Sequence, residues 1–152
     1  MHISEQNLKK IVVGSGVITE AQFDTAAQEA MRSSRTIDNV LVGRGDITEA
    51  YFSELLSDYF KVPVVNFNAV PVDDTALHLL PEAFSRTKRA AVFGVDKYKR
   101  VAKVAMADPG DLRTLSLIEA KLHMRLEPYL AMPSSMRVVF KEYKKDIYKE
   151  FK

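Results

Sequence analysis

Val12-Val13-Gly14-Ser15-Gly16-Val17-Ile18-Thr19-Glu20-Ala21 returns 29 residues later as Leu41-Val42-Gly43-Arg44-Gly45-Asp46-Ile47-Thr48-Glu49-Ala50. Each copy reads as the end of one helix, a glycine turn and the start of the next helix. Gly16 and Gly45 follow short apolar runs, where a helix C-terminus takes a left-handed residue and glycine has no Cβ to clash. Thr19 and Thr48 are placed to cap the following helices, and Glu20 and Glu49 favour the positive ends of their dipoles. Gln22 completes a capping box with Thr19, whereas Tyr51 occupies the equivalent place in the second copy and cannot. Ile18 with Phe23, and Ile47 with Phe52, have the spacing of a hydrophobic staple. A repeat of two short helices cannot bury its apolar face alone, so the copies are expected to pack on each other.

Outward from the repeat, Ser4 caps a first helix through about Val13. A second runs from about Glu20 to Met31 with Phe23, Ala26, Ala27 and Ala30 inward. A short third spans about Ile37 to Gly43, and a fourth, about Glu49 to Phe60, buries Phe52, Leu55, Leu56 and Tyr59. Lys61-Val62-Pro63-Val64-Val65-Asn66-Phe67 reads as extended chain. Asn68 to Val72 reads as a linker, and Asp73 or Asp74 and then Pro81 open two short helical pieces.

From Ala90 the period changes. Ala90 to Val95 and Val101 to Met106 are strand-like and flank Asp96 to Arg100, which suits an antiparallel hairpin. Asp108-Pro109-Gly110-Asp111 is turn and cap chemistry before a helix with Leu112, Leu115, Ile118 and Leu122 on one face. Arg125 to Met132 reads as a third strand. Pro133-Ser134-Ser135 opens a last helix with Phe140, Tyr143, Ile147 and Phe151 along one side. The expected fold is α+β: a helical repeat subdomain over 1–67, then a small three-stranded α/β subdomain over 70–152 in the order α-β-β-α-β-α.

The 152 residues are 47% apolar and 28% charged, ordinary for a globular protein, with a net charge of +2 and no cysteine. No apolar run approaches the roughly 18 residues needed to span a bilayer. Met1-His2-Ile3-Ser4-Glu5 lacks a basic start and apolar core, so no signal peptide and a cytoplasmic location are expected.

Catalytic chemistry is sparse. No G-x-x-x-x-G-K-[ST] phosphate loop is present, so hydrolysis of a nucleotide by this chain alone is not expected. The twin G-x-G turns are better read as helix stops than as phosphate cradles, because neither is followed by a lysine. His2, His78 and His123 lack metal-ligand spacing, so no metal is expected. Asp73-Asp74 and Asp108/Asp111 sit at helix starts, where capping accounts for them. Lys141, Lys144, Lys145, Lys149 and Lys152 decorate the last helix, balanced by Glu142, Asp146 and Glu150. The apolar seam of Phe140, Tyr143, Ile147 and Phe151 beside Lys144 reads either as a partner-docking surface or as a helix folded back on the chain. Asp46, Glu49 and Glu54 around the second turn argue against DNA as a partner.

The twin glycine turns, Tyr59-Phe60-Lys61-Val62-Pro63-Val64-Val65, Leu80-Pro81-Glu82 and Ala105-Met106-Ala107-Asp108-Pro109, in that order, resemble the N-terminal domain of the ATPases of type II secretion and type IV pilus assembly. The resemblance covers essentially the whole chain. It implies a helical subdomain followed by an α/β one, with a downstream ATPase domain as one partner and an inner-membrane platform protein as another. It also implies peripheral attachment to the inner membrane through partners, and oligomerisation in the full-length protein only.

In some members of that family the repeat binds cyclic di-GMP, each copy opening with arginine, leucine and glycine and closing with glutamine. Here the copies open Asn7-Leu8-Lys9 and Thr36-Ile37-Asp38 and close at Ala30 and Tyr59. The retained nucleotide-binding frame is Leu8, Val12, Gly16 and Phe23, then Ile37, Leu41, Gly45 and Phe52. Both arginines, both opening glycines and both glutamines are missing, and Asp38 would set a negative charge near a phosphate. The expectation is a regulatory or docking domain without a cofactor, coupling a motor to its membrane platform. The alternative is a domain that still senses cyclic di-GMP.

Overall fold

The computed structural model describes residues 2–150, with side chains described through Lys145. Two compact units divide the chain: Ile3–Tyr59, and residue 60 onward together with His2.

The first unit is helical, with α1 (Glu5–Gly14), α2 (Glu20–Ser33), α3 (Ile37–Gly43) and α4 (Glu49–Phe60). Its starts are set by side-chain caps. Ser4 accepts from the Asn7 amide, Thr19 and Gln22 exchange bonds in a capping box, and Thr48 Oγ1 accepts from the Tyr51 amide at 3.1 Å. Gly16 and Gly45 stop α1 and α3 at φ +81° and +78°. All four residues with staple spacing, Ile18 and Phe23, Ile47 and Phe52, are buried. Tyr59, expected inside, lies at the surface, because it falls in the last turn of α4 beyond the buried Phe52 and Leu56.

The second unit contains α5 (Asp74–Leu77), α6 (Glu82–Lys88), β1 (Ala90–Asp96), β2 (Val101–Met106), α7 (Leu112–Leu122), β3 (Arg125–Leu130) and α8 (Pro133–Glu150). The sheet order is β1-β2-β3, antiparallel between β1 and β2 and parallel between β2 and β3, with α7 as the crossover. Both faces are covered, which is why the strands read as continuous apolar runs. Ala90, Val92, Ala102, Val104 and Met106 pack in one cluster with Ile118 of α7. Ala91, Phe93 and Ala105 pack in the other with Met136, Val139 and Tyr143 of α8. Phe93 is the extra residue of a bulge, since Val92 pairs with Val104 and Gly94 with Lys103. The bulge keeps Val95 on the α7 side while Phe93 meets Phe67 and Tyr129 edge-on, each at 5.2 Å between ring centroids.

Pro63 to Phe67 belongs to this unit. Val64 bridges to Leu130, the Val65 amide donates to the Leu130 carbonyl at 2.9 Å, and Val65 and Phe67 are in the α8-side core. Along β3 the outward amides are those of even-numbered residues, and Pro128 removes one of them, which blunts that sheet edge. His2 is fixed to the Asp108-Pro109-Gly110 turn, its backbone amide and Nδ1 both meeting Asp108 Oδ2. A Cβ at Gly110 would stand 2.8 Å from His2 Cβ and 2.9 Å from Phe60 Cε1. Both points at which the chain leaves and re-enters this unit therefore lie against one glycine.

Two expectations in this unit are corrected. Leu112 is 70% exposed, and Thr114 is buried in its place. The reason is the cap: Asp111 accepts from both the amide and the hydroxyl of Thr114, which turns that side chain inward and holds the Asp111 carboxyl below its ordinary range. The third strand stops at Leu130, because Met132 already accepts the first bond of α8 from Met136.

Tyr143 anchors α8. It is 4% exposed, its hydroxyl lies 2.9 Å from the carbonyls of Leu77 and Leu80, and Ser85 Oγ lies 2.8 Å away. The phenol proton serves carbonyls at the end of α5 and just beyond it, and the Ser85 hydroxyl donates to the phenol oxygen. Burial pushes this phenol above its ordinary value of 10.0. A raised folded value means the stabilisation is complete below pH ~10 and is lost as pH rises through the folded value. Tyr143→Phe is expected to cost about 1–3 kcal/mol by stranding these groups. It should also remove this residue's contribution to the alkaline fall in stability, read by chemical denaturation from pH 7 to 11. Unchanged stability in Tyr143→Phe would mean the hydroxyl is not the anchor.

Candidate functional site

The repeat is where the sequence places the ligand frame, and its eight residues divide into two kinds. Leu8, Val12, Phe23, Leu41 and Phe52 are buried, and Ile37 is half-buried. Gly16 and Gly45 are the exposed left-handed stops. The frame is thus the core of the helical unit and its turns.

The turn amides are occupied. The Gly45 amide donates to the Val42 carbonyl at 3.0 Å and the Asp46 amide to Leu41 at 3.2 Å, the paired bonds of a Schellman stop. In the first copy the amides of Ser15 and Gly16 donate to Ile11 and Val13, and Val17 donates to Ser15 Oγ at 3.3 Å. A phosphate cradle needs free amides, and these turns use theirs to close helices.

Two nearby cations are also engaged. Lys9 Nζ lies 2.9 Å from Asp24 Oδ1 and 3.0 Å from Glu20 Oε1. Hydrogen bonding to Asp24 first, and Glu20 second, holds the Lys9 ammonium above its ordinary range. Arg44 Nη1 pairs with Glu29 Oε2 at 2.9 Å, and its Nε lies 3.4 Å from Asp46 Oδ2. That second contact is an ion pair without hydrogen-bond alignment, so this buried Asp46 oxygen depends on the charge of Arg44. Residues 3–59 carry five Lys and Arg against nine Asp and Glu, a net −4. Asp38 is half-buried in the first turn of α3. Ala30, where the resemblance would set a glutamine, is buried, and Tyr59 is exposed.

In the second unit the described part of the expected docking seam, Phe140 and Tyr143, packs against the unit's own core. Tyr143 is the buried anchor already described, and half-buried Phe140 carries Arg86 over its ring at 4.6 Å. Lys144 is exposed. The Ile147 side chain and all of Phe151 lie outside the described residues. Open depressions of about 670 Å³ and about 490 Å³ lie beside His123 and Arg125, and beside Tyr98 and Lys103. His123, which the sequence marks as structural or solvent-facing, is the left-handed cap of α7. His78 Nδ1 lies 2.8 Å from the Asp74 carbonyl. Among the described residues no group of three His, Asp or Glu is placed to hold a metal.

The MshEN domain family profile matches residues 60–146, more than half of the chain, beginning where the second compact unit begins. The chain belongs to the MshEN domain family. This MshEN domain is 27% identical to MshE in a structure of MshE with cdg (TM-score 0.74, covering 90% of this chain and 97% of that one). The N-terminal domain of XpsE shares the fold at 15% identity, with a TM-score of 0.65 over 93% of this chain and 97% of that one. The type IV pilus assembly ATPase PilB of Thermus thermophilus is 24% identical over 133 residues, 88% of this chain and 15% of PilB. The resemblance to N-terminal domains of secretion and pilus ATPases is thus shown, and this chain spans 15% of the length of PilB.

The two glycines of the first turn separate a helix stop from a loop shaped for a ligand. Gly14 is in the last turn of α1, where an added Cβ would meet nothing within 4 Å, whereas Gly16 is left-handed. Gly14→Ala should leave stability unchanged or raise it by up to about 1 kcal/mol. Gly16→Ala should cost about 1–2 kcal/mol. Thermal denaturation of the pair checks this, and equal effects would refute the assignment of Gly16 as the stop.

Proposed function

We propose that this MshEN domain is a non-catalytic regulatory or docking domain of a type IV pilus assembly or type II secretion ATPase. It couples the motor to an inner-membrane platform protein through protein contacts, and it takes no nucleotide ligand. The observation that carries this reading is the state of two of the unit's five cations and of the turn amides: Lys9 and Arg44 are each held by two carboxylates, and the turn amides are taken up within the turns. A ligand with two phosphates would have to displace those pairs inside a unit of net −4, against Coulomb repulsion from Asp38 and Asp46. The hydrolytic core of such a motor would lie outside this chain.

The second reading is a cyclic di-GMP sensor, favoured by the 27% identity to MshE solved with cdg. Calorimetric titration of the folded chain with cyclic di-GMP at modest salt separates the two. No saturable heat is expected, and binding at micromolar or tighter affinity would establish the sensor. A parallel titration with the cytoplasmic portion of the platform protein should give saturable binding.

A further inference from the structure

The β1–β2 hairpin ends in Lys97-Tyr98-Lys99-Arg100, all four exposed, with Tyr98 at 101% of its reference exposure. The tip is not slack. Asp96 Oδ1 accepts from the amides of Tyr98 and Lys99, each at 3.1 Å, and the Arg100 carbonyl accepts from Arg125 at 3.2 Å. Asp96 is therefore occupied by backbone, and Lys97, Lys99 and Arg100 have no ion-pair partner among the described residues. A held loop presenting one free aromatic ring among three free cations has the composition of a binding anchor, where tyrosine and arginine are enriched.

The same chain carries a complement. Glu54 and Asp58, one turn apart on α4, are exposed and have no ion-pair partner among the described residues. The exposed ring of Tyr59 adjoins them, and its hydroxyl lies 3.5 Å from Asn7 in the first turn of α1, which also carries exposed Glu5. Charge is segregated in the same sense at the level of the units. Residues 3–59 are net −4, while residues 60–152, with 17 Lys and Arg against 11 Asp and Glu, are net +6.

We propose that the Lys97–Arg100 hairpin tip docks on the Glu54/Asp58 face of the helical unit of a second copy of this chain. Each copy offers one hairpin and one acidic face, so the contact is heterologous and joins copies head to tail, closing into a ring or running on as a filament. Exposed ion pairs are individually weak and screened by salt. The contact is accordingly marginal between free domains and strong where several copies are held together at high effective concentration. The proposal stands independently of the docking reading above.

The test is the mass of the purified chain by sedimentation or light scattering across protein concentration, in about 20 mM and about 500 mM salt, where screening lengths differ severalfold. Mass should rise with concentration at low salt and return to monomer at high salt. Lys97→Glu/Lys99→Glu/Arg100→Glu and Glu54→Lys/Asp58→Lys should each abolish the rise, and mixing the two variants should restore it. Tyr98→Ala should weaken association with no change of net charge. Circular dichroism confirms that each variant is folded. A wild-type chain that stays monomeric throughout, association indifferent to either reversal, or a mixture that stays monomeric overturns the proposal. So does a hairpin that binds only an acidic segment of another protein.

Discussion

A chain built of short helices has more ends than middles, and every end strands carbonyls that must find donors. That constraint organises both units. In the helical unit it is met by left-handed glycines after α1 and α3 and by Ser34 at φ +55° after α2. In the α/β unit it is met by non-glycine residues forced to positive φ, Arg89 and His123, and by the Tyr143 phenol reaching Leu77 and Leu80 from α8. The two solutions leave different marks. A glycine stop is local and repeats in sequence. A phenol 66 residues from the carbonyl it serves is a tertiary device.

That difference explains what could be read from sequence. The extents of α3, α4 and β2 follow from caps, glycines and β-branched runs, all of which act within a few residues. Hydrophobic periodicity says that a face is covered and does not say by what. The Phe140–Tyr143 seam suits a docking surface and also a folded-back helix, and the partner of Tyr143 is buried in the same unit. Pro63 to Phe67 read correctly as extended chain, but its pairing with Leu130 depends on a residue more than 60 positions away. The Phe93 bulge did carry a local signal, since a lone glycine inside a strand run, here Gly94, marks such an irregularity. Leu112 departs from the helical stripe because the Asp111–Thr114 cap orients the first turn of α7 and leaves Leu112 outside.

The repeat's apolar frame and its exposed positions answer to different constraints. Leu8, Val12, Phe23, Leu41 and Phe52 are core, and replacing any of them would open a cavity costing several kcal/mol, of order 2–5. Positions 9 and 38, where the resemblance would set glycine, hold Lys9 and Asp38. Lys9 has found carboxylate partners at the surface, where such pairs are worth little. Changes at these surface positions therefore cost the fold almost nothing, while loss of the frame would unfold it. A sequence that keeps the frame reports the helix-turn-helix packing, and it carries information about the ligand only through the exposed positions. Among those positions Lys9 and Arg44 are paired with carboxylates, while Glu54 and Asp58 have no ion-pair partner among the described residues, within a unit of net −4, a balance that opposes an anion by Coulomb repulsion.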